Sequence, residues 1–144
     1  MSLETDVDVV ARTLFGEARG ETVQGQQAVA WVIRNRVDAQ LRTDGKPNWW
    51  GEGYSDVCRK AYQFSCWNRN DPNFPFLSGA KAIGERLFNS LKAVAMTVIR
   101  GEVPDPTGGA THYYATTMPK APAWVAGAKF TVQIGAHRFY RDVK

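Results

Sequence analysis

Residues 14–36 read LFGEARGETVQGQQAVAWVIRNR, and two acids, Glu17 and Glu21, stand between glycines where one apolar helical pattern pauses and another begins. Behind the pause, Val7, Val10, Ala11, Leu14 and Ala18 recur at helical spacing. They predict a first helix from Thr5 to Ala18, with Thr5 or Asp6 as N-cap. Ahead of it, Ala30, Ile33, Val37 and Leu41 form one stripe of a second helix from about Thr22 to Leu41, leaving Arg34, Arg36 and Asp38 to solvent or a cleft. Were the first helix to run on through Gly20, the two glutamates would be like-charged neighbours at i and i+4. A break there separates their roles instead. Glu17, set after Leu14 and Phe15, is the candidate general acid, while Glu21 opens the second helix, where its charge suits the dipole. Gly16 and Gly20, without Cβ atoms, would let another backbone or a substrate approach the carboxylate closely. Spacing alone leaves open the plainer alternative of two solvated acids at a helix corner with glycines as its cap.

Working outward, RTDGKPNWWGEGY (42–54) reads as a long loop, and a short helix from Ser55 or Asp56 carries Val57 and Ala61. YQFSCWNRNDPNFPF (62–76) reads as loop again. Residues 78–100 place Ala80, Ile83, Leu87, Leu91, Val94, Ala95 and Val98 on one face, from a start at Ser78 to a stop at Gly101; this is expected to be the longest and best buried helix. Beyond it THYYATT (111–117) and KFTVQIGAHRFYR (129–141) suggest a small hairpin region, with Phe130, Val132 and Ile134 alternating. The expected fold class is therefore mainly α (α+β), one domain over residues 1–144 with a small β-hairpin region near the C-terminus.

Lys plus Arg number 18 against 14 Asp plus Glu, a net charge of +4 that suits an anionic partner such as an acidic polysaccharide, a nucleic acid or a membrane surface. No apolar run approaches the roughly 20 residues that span a bilayer, so stable membrane insertion is not expected. Cys58 and Cys66 could pair or stay free, and with His112 and His137 distant in sequence no metal site is expected. Neither a phosphate-binding Gly-Lys loop nor a serine nucleophile elbow occurs.

Trp49, Trp50, Tyr54, Gln63, Phe64, Trp67, Tyr113 and Tyr114 cluster in the loop and strand segments. Rings that stack on sugar faces, with amides and hydroxyls at their edges, suit a carbohydrate groove. The same composition could stack single-stranded nucleic acid or simply cover the core. His112 and His137 are candidate general bases, with a hydrogen-bonded structural role as the alternative. Asn35 and Arg36 could wall a cleft, but Arg36 reads rather as structural, tying the second helix to a carboxylate such as Glu21.

Five blocks in order, ARTLFGEARGE, GQQAVAWVIRNRV, YQFSCW, GATHYYA and IGAHRFY, resemble the cell wall hydrolase family typified by the spore cortex-lytic enzyme SleB, over roughly residues 9–140. The resemblance implies a compact, mainly helical, lysozyme-like fold and a peptidoglycan-cleaving activity, with the catalytic glutamate at Glu17. It also implies groove contacts from Gln63, Phe64, His112 and Tyr113. It favours a lytic transglycosylase, which cuts the bond between N-acetylmuramic acid and N-acetylglucosamine with one glutamate and no cofactor or metal. A hydrolytic muramidase would need a second carboxylate, for which Asp71, Asp105 and Glu52 are the loop candidates. A glycan- or nucleic-acid-binding module without catalysis is the rival class. The expected partner is the peptidoglycan glycan strand rather than nucleic acid, bound by a monomer. The N-terminus shows no signal-peptide pattern. The corresponding expectation is an endolysin-like protein made in a host cytoplasm, reaching the wall after holin-mediated release.

Overall fold

The computed structural model describes residues 2–42, 50–60 and 64–143. Helix α1 (Leu3–Ala18) begins two residues before the expected Thr5, because the Ser2 hydroxyl accepts the Thr5 amide and caps it. It packs against every other helix: α2 (Val23–Arg42), α3 (Gly53–Arg59), α4 (Phe74–Ser78) and α5 (Glu85–Ile99). That central position explains why Val9, Thr13 and Phe15 are buried along with the expected stripe. In α2 the stripe is likewise wider than its periodicity, with Ala28, Val29 and Val32 buried beside Ala30 and Ile33. The Thr22 hydroxyl, not Glu21, caps it by accepting the Gly25 amide. The Leu41 side chain, Trp49, Ala61 and Gln63 lie outside the described residues.

The segment expected as unbroken loop contains a 3-10 turn at Ser65–Trp67 and the short α4, started by Pro75 in its first turn. Phe76 holds α4 to α1: its carbonyl accepts from Arg12 Nη1 at 2.8 Å and its ring meets Phe15 at 5.1 Å. Ser78 therefore ends one helix instead of starting the next. Gly79 follows at φ +88°, Ala80 is exposed, and α5 starts only at Glu85. At 15 residues α5 is shorter than α2 at 20. Gly101, at φ +70°, stops it as expected; the bare Cα admits Arg34, whose Nη1 donates to the Val98 carbonyl at 2.8 Å.

Strands β1 (His112–Ala115), β2 (Lys129–Ile134) and β3 (His137–Arg141) form an antiparallel sheet in the order β1-β3-β2. A bulge at Thr131 pairs Phe130 with Tyr140 but Val132 with Phe139. Neighbours on β3 face opposite sides, so the bulge puts Phe130 on the outer face and Val132 on the inner one. The alternation expected of Phe130, Val132 and Ile134 is broken by that one residue. No helix among the described residues is long and apolar enough to cross a membrane.

Candidate active site

Glu17 lies in the last turn of α1, half-buried, and its place is fixed from two sides. Beneath it, a Cβ on Gly16 would collide with the Cβ of Cys66 and stand 2.7 Å from its sulfur, so glycine is what lets the 3-10 turn lie against α1. Trp67 fastens the same turn by donating its Nε1 to the buried Thr13 hydroxyl at 2.9 Å. Nothing lies within 4 Å of a Cβ built on Gly20, so the close approach expected at both glycines occurs only at Gly16.

From the sheet, the Tyr113 hydroxyl donates to Glu17 Oε1 at 2.5 Å. Burial first, and the Glu17 carboxylate next, push the Tyr113 phenol well above its ordinary value, so it remains a protonated donor. Desolvation, reinforced by Glu17, also raises the Cys66 thiol, and burial pushes Cys58 up to about 12; both cysteines are free thiols.

Glu21 reaches the opposite wall. Its Oε1 accepts the Ala136 amide at 3.0 Å and stands 3.5 Å from His137 Nδ1, while a Cβ on Gly135 would collide with that same oxygen. The dipole role expected for Glu21 gives way to a tether between the α1–α2 corner and the β2–β3 turn. His137 is 8% exposed, and burial lowers its pKa against the pull of Glu21 and Glu17. Its ring meets Tyr113 edge-on at 4.8 Å. The two glutamates of the motif are thus linked through His137 and Tyr113. Together Glu17, Glu21, Arg19, Asn73 and His137 line an open cleft of about 380 Å³.

The other expected groove residues are distributed differently. His112 precedes Tyr113 on β1 and so faces the outer side of the sheet, between Trp50 at 6.0 Å and Trp124 at 5.0 Å. Burial, then Arg36, lower its pKa to about 4. Phe64 is 2% exposed, with its ring 6.5 Å from Tyr113; a ring so covered supports the site from behind and cannot offer its face to a sugar. Gln63 is outside the described residues. Of the candidate second carboxylates, Asp105 is consumed by a turn, accepting from Thr107, Gly109 and Asn35. Asp71 accepts the Asn73 amide, and Glu52 sits at the start of α3. None of the three lines the cleft with Glu17.

The family model described as Cell Wall Hydrolase matches residues 20–140. The chain belongs to the cell wall hydrolase family. Among curated cell wall hydrolase relatives, a spore cortex-lytic enzyme of Halalkalibacterium halodurans is 27% identical over 94% of this chain and 34% of its own length. One from Oceanobacillus iheyensis is 46% identical over 28% of this chain and 15% of its own. The chain thus spans about a third or less of these relatives. Among solved structures, the catalytic domain of the germination-specific lytic transglycosylase SleB from Bacillus anthracis aligns with TM-score 0.66 and 27% identity, covering 98% of this chain and 97% of that one. The catalytic domain of the Bacillus cereus SleB protein aligns with TM-score 0.67 and 26% identity, over 98% and 93%.

The family match begins just after Glu17, so the case for that residue in this cell wall hydrolase rests on its geometry and the resemblance of its motif. Sequence reasoning took Arg36 for a tie to a carboxylate. The structure buries it at 4% exposure, its Nε donating to the Thr111 carbonyl at 2.7 Å and its guanidinium 4.9 Å from the Phe64 ring. Burial lowers its pKa to about 10 against Tyr113, Cys58 and Glu17, so it remains a cation behind the Tyr113–Glu17 pair. Arg19 and Asn73, joined at 3.0 Å on the cleft rim, were missed. The signal for Arg19 was its place between the two glutamates; Asn73 carried none. Among the described residues no group of three or more His, Cys, Asp or Glu could hold a metal ion.

Proposed function

We propose that this chain is a peptidoglycan-cleaving glycosidase acting on the β-1,4 bond between N-acetylmuramic acid and N-acetylglucosamine, as a lytic transglycosylase with Glu17 as its acid and base. The observation that carries this reading is the carboxyl of Glu17 at an open cleft, gripped at one oxygen by a tyrosine that stays protonated. The Glu17 carboxyl would hand a proton to the glycosidic oxygen as the C1–O bond breaks. The muramoyl 6-hydroxyl then bonds to C1, closing a 1,6-anhydro ring, and returns its proton to Glu17. The buried Arg36 cation and the Tyr113 donor would balance the carboxylate between the two transfers. A hydrolytic muramidase would need a second carboxylate beside Glu17. The only other acid lining the cleft among the described residues is Glu21, and its Oε1 is committed to the Ala136 amide.

The likeness to the SleB catalytic domains, one of them a germination-specific lytic transglycosylase, supports the wall-degrading class, and the positive charge would favour an anionic wall. Lysis of a host cell from within is the finer part of the proposal. Turbidity clearance of purified sacculi tests the reading: the wild-type protein should clear them, and Glu17→Gln should reduce clearance by at least a hundredfold without lowering Tm. Clearance by Glu17→Gln at the wild-type rate would remove Glu17 from the mechanism. Cytoplasmic expression with and without a membrane-permeabilising partner tests the lytic role, which predicts lysis only with the partner.

A further inference from the structure

The outer face of the sheet carries a run of aromatic side chains that the cleft around Glu17 does not use. Behind Tyr113, Phe64 meets Arg36, and the Arg36 guanidinium stands 5.7 Å from the Trp50 ring. From Trp50 the contacts continue to His112, Trp124 and Tyr140, at 6.0, 5.0 and 5.4 Å. They end at Phe130, 5.5 Å from Tyr140 and 43% exposed. Mutual packing accounts for the middle of this run as a small second core. It does not account for the end, where the Thr131 bulge turns Phe130 out of the inner face and Arg138 lies 4.4 Å over its ring. The same guanidinium donates to the Gln133 side-chain oxygen at 3.2 Å. Arg138 shares this face with Tyr140 and Phe130, while the register puts Lys129 and Arg141 on the inner one; the three strands carry no Asp or Glu.

We propose that this face, centred on Phe130 and Arg138, is a second contact for the polymer cut at Glu17, holding a length of peptidoglycan away from the scissile bond. The inference rests on the glycosidase reading for its occupant. Two features select that occupant. An exposed ring with Arg138 over one of its faces offers its uncovered part to the apolar face of a sugar, and an arginine with no acid in the surrounding strands suits the carboxylates of the stem peptides. A chain engaged at two points dissociates more slowly than one engaged at either, so the face would favour intact wall over short fragments.

The test is co-sedimentation with purified sacculi in a Glu17→Gln background, which leaves the polymer uncut, with and without Phe130→Ala and Arg138→Ala together. The dissociation constant should rise at least tenfold while Tm stays unchanged, and Phe130→Tyr with Arg138→Lys should recover most of the affinity. Unchanged affinity, or a loss that the conservative pair does not recover, overturns the proposal. Release of soluble products by the wild-type protein tests the glycosidase reading separately. Sacculi that are bound through this face but never cut would remove that reading and leave the docking face standing.

Discussion

Glu17 owes its position to Gly16 and Tyr113 as much as to its own helix. A methyl group at Gly16 would drive Cys66 off α1, so Gly16→Ala is expected to cost about 1–3 kcal/mol, as overpacking does. Cys66→Gly in the same chain should recover part of it; additive losses in urea midpoints would mean that the two residues do not clash. Gly20→Ala, with open space around it, should be within about 0.5 kcal/mol of wild type. Tyr113→Phe keeps the ring and removes only the donor. A hydrogen bond to a charged group contributes about 1.5–3 kcal/mol, and if it holds the carboxyl equally in the transition state kcat should fall about ten- to hundredfold. Unaltered kcat in steady-state assays would show that the hydroxyl does not serve the reaction. At this scale Glu17 was only half legible: spacing left two solvated acids at a helix corner open, and the resemblance of the motif singled this carboxyl out. The separate fates of Phe64, His112 and Tyr113 were not legible. Which face of a strand a residue takes depends on register with a partner, and burial of Phe64 depends on Arg36 and Tyr113, distant in sequence.

Elements meet at Glu21. The carboxylate joins the end of the helical layer to the hairpin turn, and through His137 and Tyr113 that turn bears on Glu17. Glu21→Ala leaves the half-buried Ala136 amide without its acceptor and should cost about 1–3 kcal/mol, with a lower kcat as Tyr113 loses its support. Glu21→Gln retains an acceptor oxygen and should lose less than half as much. Equal losses in urea unfolding would assign the effect to charge instead of the hydrogen bond. The helices α1 and α2 were legible because long apolar stripes survive errors of a residue or two at their ends. The start of α5 was misread because Ser78 is a plausible cap by type, yet it closes α4, a helix too short to show a period. The bulge at Thr131 was equally invisible: an extra residue in a strand leaves composition unchanged while moving Phe130 to the other face.

Across the whole molecule, the helical layer and the sheet are held together by buried groups that must keep their charge state. His112 is half-buried as a neutral ring, its folded pKa near 4 lying below the ordinary 6.5. Between those values the unfolded chain binds more protons than the folded one, so its contribution to stability is present above about pH 6.5 and lost as pH falls towards 4. The urea midpoint should decline over that window, and His112→Asn should flatten the decline. A parallel decline in the variant would place the sensitivity elsewhere. The central claim, that one glutamate opens the glycosidic bond and an internal hydroxyl closes it, is tested most directly by mass spectrometry of the soluble products released from purified sacculi. The account predicts muropeptides ending in 1,6-anhydromuramic acid, absent when Glu17→Gln is used; products ending in reducing muramic acid would contradict it.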